Sequence, residues 1–173
     1  MFRATAYDKL KRIRSEEHQG ANHTDDSVLG DLLVCLLTNK PMLTLHSDYE
    51  LVQGYSLFSG LFAQDKKCHE AAFGLARINY SIGRYELSEK LLIKAYEAKR
   101  DFVYRVWLGY TQLQMFLVAT DPAVKTKMAN NAIVNLDRCS KEPRVALYAN
   151  FALICLSLRV EEAKLQVKGL KDL

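Results

Sequence analysis

Between Cys68 and Phe102 the chain reads CHEAAFGLARINYSIGRYELSEKLLIKAYEAKRDF, two stretches of helical period broken at Ser81-Ile82-Gly83-Arg84. Ala72, Leu75, Ala76 and Asn79 share one stripe before the break. Leu87, Leu91, Leu92, Ala95 and Ala98 share one after it. Ala76, Ser88 and Ala95 are small enough to let two backbones approach closely, so the spacing predicts a tight antiparallel helical hairpin. A hairpin of this length cannot bury both of its faces alone. It requires neighbours of the same kind, which points to a stack of helix pairs.

Composition agrees with that reading. The 173 residues suit one domain with a real core, and 49% hydrophobic residues exclude a largely disordered chain. Runs rich in Val, Ile or Thr between turn residues are few, so an all-α fold is expected. Residues 1–27 read as a basic arm and polar linker, and residues 28–173 as the helical domain.

The window resembles a tetratricopeptide repeat, a unit of about 34 residues with the pattern W-x2-L-G-x2-Y, then A-x3-F, then P. Leu75-Ala76 stands for the Leu-Gly pair, Gly83-Arg84-Tyr85-Glu86 for the turn inside the repeat, Ser88 and Leu92 for the Ala and Phe, and Ala95 for the last small site. Ala72, Asn79 and Arg100 depart from the pattern, standing where it has Trp, Tyr and Pro. The resemblance implies a right-handed α-solenoid of three to four hairpins. It further implies that first helices of the hairpins line a groove, formed by Glu70, Phe73, Arg77, Tyr80 and Ser81. Carried one unit forward, the groove continues through Val106, Tyr110 and Gln114. Phe73, Tyr80 and Tyr110 would anchor a partner segment there, with Arg77 as a donor. The alternative is that the N-terminal helices fill the groove from within the chain.

Along the rest of the chain, Val28 to Thr38 and Asp48 to Ala63 read as helices, with Gly54 and Gly60 in the second suggesting close packing or a weak helix. Phe102 to Val118 is apolar nearly all round and should be buried on most sides. Its Leu108-Gly109 pair lies 33 positions after Leu75-Ala76. A helix from Ala123 to Cys139 follows, then a third unit from Arg144 to Leu158, with Glu161-Glu162-Ala163 opening a last helix that ends near Leu170. The third unit's small site at Ala152 falls 43 residues after Gly109, and the excess is expected in a longer second hairpin and its turn, around residues 117–128.

The net charge of +4 sits wholly in residues 1–14, where Arg3, Lys9, Lys11, Arg12 and Arg14 face only Asp8. The remaining residues balance, so the body is not expected to be an electrostatic nucleic-acid binder; the arm reads as a dock for an acidic surface, as a nuclear signal built on Lys9–Arg14, or simply as a loose end. Cys35, Cys68, Cys139 and Cys155 are scattered and read as reduced thiols of an intracellular, cytoplasmic protein, with a cytoskeletal or ciliary setting compatible. No secretory segment or transmembrane span is expected. His69 reads as a solvated cap at a helix start. No metal or cofactor is expected, because no ligand pair has helical i, i+4 spacing. No catalytic motif occurs, and the close carboxylates Glu86/Glu89 and Glu161/Glu162 read as solvated helix charges. The expected role is therefore a non-catalytic scaffold or adaptor, a subunit of a larger protein assembly with no small-molecule substrate. A repeat-type chaperone shielding a client segment is the alternative, and an enzyme without a recognisable motif the third.

Overall fold

The computed structural model describes the backbone of residues 48–171 and the side chains of residues 52–161. Within them the chain is all-helical: α1 Asp48–Gln64, α2 His69–Ser81, α3 Tyr85–Ala98, α4 Phe102–Val118, α5 Pro122–Ser140 and α6 Ala146–Lys171. Each helix packs on the next, and α4 also touches α6. The helix expected over 28–38 and the basic arm lie outside the described residues.

The predicted hairpin is α2 and α3. Gly83 ends α2 with φ at 77°, a left-handed conformation open to a residue without a Cβ. Arg84 N–H donates to Asn79 O at 2.8 Å and Gly83 N–H to Tyr80 O at 3.0 Å, the paired bonds that close a helix C-terminus. Across the seam, Ser88 Oγ donates to Ala76 O at 2.9 Å, and Ala76, Ser88 and Ala95 are fully buried. The hydroxyl therefore pins the two backbones at the position where the small residues let them meet.

The second hairpin, α4 and α5, repeats this plan. Helices α2 and α4 begin 33 residues apart, so Ala76 and Gly109 occupy the same register. A Cβ at Gly109 would sit 2.6 Å from Leu136 on α5, too close for any real contact. Asp101 and Asp121 cap α4 and α5 by accepting N–H bonds from Val103 at 3.0 Å and Ala123 at 2.8 Å. Pro122 follows at the start of α5, where a missing N–H costs nothing. Helix α4 is buried on most sides, as its all-round apolarity requires, and Val106, Trp107 and Tyr110 are fully enclosed.

Four expectations are corrected. The second hairpin is longer, as expected, with 17 residues in α4 against 13 in α2 and 19 in α5 against 14 in α3, but its turn is not. The turn at residues 119–121 is as short as the one at 82–84. The third unit is not a hairpin, since Ala146 to Lys171 forms one helix of 26 residues. Neither Gly nor Pro stands between Pro143 and Gly169, so nothing breaks the ladder at Glu161-Glu162, and acidic residues alone do not end a helix. Close packing falls at Gly74, where a Cβ would lie 2.6 Å from the Phe58 ring, while Gly60 faces open space and a Cβ at Gly54 would make only ordinary contact. Finally, His69 is no solvated cap. It is half-buried, with Nδ1 2.9 Å from the Tyr104 hydroxyl.

Candidate interaction surfaces

Three features stand out on this scaffold, and the first contains the predicted groove residues. Phe73 lies 4.6 Å from the Tyr104 ring and edge-on to Trp107 at 5.7 Å, centroid to centroid. Tyr80 meets Trp107 at 5.5 Å and Tyr85 at 5.5 Å, both edge-to-face. The Arg77 guanidinium lies 5.5 Å from the Trp107 ring and 5.9 Å from that of Phe73. Aromatic edges and a cation over ring faces are mutually attractive, so α2 and α4 are bound side to side through one aromatic cluster. The fold thus brings Phe73, Arg77 and Tyr80 together around Trp107.

Its exposure differs from that of an open groove. Tyr80, Ser81, Val106 and Tyr110 are buried. Ser81 Oγ donates to Arg77 O at 2.9 Å, and Tyr110 Oη donates to Tyr148 O on α6 at 3.0 Å. Burial, with Cys155 and Tyr148 close by, holds the Tyr110 phenol far above its usual range. The predicted anchors Tyr80 and Tyr110 are therefore interior packing residues. Glu70, Phe73, Arg77 and Gln114 are half-buried. Glu70 Oε2 lies 3.3 Å from His69 Nδ1 and 3.6 Å from Cys68 Sγ. The basic-arm residues lie outside the described residues.

A second feature, not foreseen from sequence, is a polar relay along α4. Gln112 Nε2 donates to Glu89 Oε1 on α3 at 2.8 Å, and Gln112 Oε1 accepts from Asn135 Nδ2 on α5 at 2.9 Å. Asn135 Oδ1 accepts from Arg105 Nε at 3.2 Å, and Arg105 donates again to the Tyr96 hydroxyl at 3.0 Å. The relay ties α3, α4 and α5 into one register. Replacing buried Gln112 by Leu would leave half-buried Glu89 without this donor and Asn135 Nδ2 with only its bond to Asn131 O at 3.1 Å, and should cost about 1–3 kcal/mol. A thermal melt should show Tm lower by roughly 3–8 °C with unchanged helix content. The signal for this feature is weak, because polar residues on a helix ordinarily face solvent.

The third feature is the far side of α6. Val145, Ala149, Ala152 and Leu156 are each at most 1% exposed and form its inner stripe. Leu147, Ile154 and Leu158 are 72%, 59% and 61% exposed. With 3.6 residues per turn, the two stripes point about 170° apart. Among the described residues, α6 therefore carries an exposed apolar stripe on its outer side as well as a buried one on its inner side.

Other chemistry is sparse. An open cleft of about 280 Å³ between the ends of α3, α4 and α5 is lined by Glu86, Met115, Val118, Asp121 and Val124. It is smaller than most small-molecule sites. Cys139 is fully buried and its thiol is pushed up to about 12, chiefly by desolvation, so it behaves as a small hydrophobe. Among the described residues no His/Cys/Asp/Glu group could hold a metal ion, and no helix is long and apolar enough to cross a membrane.

No family model, curated protein or solved structure matches the chain. What it does must therefore be argued from its own surfaces.

Proposed function

We propose that this chain is a non-catalytic protein-interaction subunit, a short tetratricopeptide-type stack of helix pairs whose outer α6 face receives another protein. One observation carries the reading: Leu147, Ile154 and Leu158 stand bare on the side of α6 opposite its packed stripe. Water-exposed Leu and Ile aligned along one side of a helix are unfavourable for an isolated molecule and ordinary for a subunit. Repeat stacks need polar ends to remain soluble alone, and this end is not polar. The 33-residue spacing of α2 and α4, with Ala76 and Gly109 in equal register, supports the repeat character of the stack. Burial of Tyr80, Val106 and Tyr110 favours a docking surface on α6 over the predicted groove.

The test is comparative. Full-length wild-type and Ile154→Glu chains are tagged, and the proteins retained by each are quantified. The exposed substitution should leave the far-ultraviolet spectrum and Tm unchanged while removing the stoichiometric partner. Equal retention by both chains would show that the α6 face is not the docking surface.

A further inference from the structure

The bare stripe of α6 has a spacing and a charge pattern that specify its occupant. Leu147, Phe151, Ile154 and Leu158 follow one another at intervals of four, three and four, with Phe151 half-buried and the other three exposed. That spacing matches the seam of a two-helix coil, in which a narrow apolar line is covered by one helix running alongside. The next seam positions outward, three residues before Leu147 and three after Leu158, are Arg144 and Glu161. Ala146 N–H bonds to Glu142 O at 2.8 Å, so the helical turn already includes Arg144. The seam thus carries a cation at one end, an anion at the other and four large apolar residues between.

We propose that the face pairs with the same face of a second copy, the two α6 helices running antiparallel about a two-fold axis between Phe151 and Ile154. In that register Leu147 of one copy meets Leu158 of the other, and Phe151 meets Ile154. Arg144 meets Glu161, and symmetry makes every contact twice. A parallel arrangement would set Arg144 against Arg144 and Glu161 against Glu161, so like charges select against it. The seam is roughly 27 Å long, at the small end of specific interfaces, which makes the dimer a reversible one. This assignment rests on the reading of the α6 face as a docking surface and names what docks there.

Sedimentation velocity of the full-length chain over a concentration series is the test. The expected result is a monomer–dimer equilibrium that Ile154→Glu shifts wholly to monomer, with the circular dichroism spectrum unchanged. Arg144→Glu alone and Glu161→Arg alone should each weaken the dimer about tenfold or more, and the double charge swap should restore it. Restoration is the decisive arm, because neither a folding defect nor general stickiness predicts it. A monomer up to ~100 µM, a dimer indifferent to Ile154→Glu, or a swap that fails to restore would overturn the proposal. A monomer that still loses a different bound protein on Ile154→Glu would overturn only the second copy and leave the docking face standing.

Discussion

Ala76→Arg should yield no folded protein. Ala76 is fully buried, and its carbonyl accepts Ser88 Oγ from the facing helix at 2.9 Å. A side chain there has no direction to grow except into α3. Forcing even extra methylenes into a packed seam costs about 1–3 kcal/mol, and an unpaired guanidinium buried among apolar groups adds several more. Against a total stability of roughly 5–15 kcal/mol for a native domain, the hairpin cannot absorb both. Far-ultraviolet circular dichroism and size-exclusion chromatography should show an unfolded or aggregated chain. The exposed Glu97→Arg on the same α3 should change stability by no more than about 0.5 kcal/mol. A cooperative melt for Ala76→Arg near that of the wild type would mean that α2 and α3 do not meet at Ala76.

Trp107→Ala should give the next largest loss, near the lower end of about 3–5 kcal/mol for such a truncation. The ring is fully buried in the aromatic cluster, against Phe73 and Tyr80, with the Arg77 guanidinium 5.5 Å away. Its removal takes away the edge-to-face contacts, the cation–π contact and the burial of the largest side chain in the core. The value falls low in the range because Trp107 Nε1 is buried with no acceptor among the described residues. An orphan N–H of that kind costs roughly 1–3 kcal/mol, a penalty that leaves with the ring. Urea titration should show a lower midpoint with the same slope. A change below about 1 kcal/mol would mean that the cluster does not join α2 to α4.

Both substitutions sit where sequence and structure bear on each other most directly. The seam of α2 and α3 was legible because small residues at helical spacing have one common purpose, the close approach of two backbones. The 33-residue interval to Leu108-Gly109 likewise anticipated the start of α4, and Gly109 indeed lies against Leu136. The stripe of Phe73, Arg77 and Tyr80 was legible, but its exposure was not. Phe73, Arg77 and Tyr80 do converge, yet periodicity cannot say whether a stripe faces water or another helix, and here Trp107 occupies the centre. The relay through Gln112 and Asn135 was invisible for the converse reason, since its partners come from residues 23 positions away on other helices.

Local pattern alone determined the helices, their turns and the small-residue seam, because each depends on backbone conformation and side-chain size within a few residues. Gly83 ends α2, Asp101 and Asp121 begin α4 and α5, and Ala76 admits α3, all by chemistry carried in the immediate neighbourhood. Tertiary structure decided which apolar stripes were used up. Val145, Ala149, Ala152 and Leu156 are enclosed while Leu147, Ile154 and Leu158 stand in water on the same helix. Both stripes are apolar; the small Ala149 and Ala152 mark the inner one as a site of close approach, but only the arrival of α4 and α5 on that side of α6 leaves the other exposed.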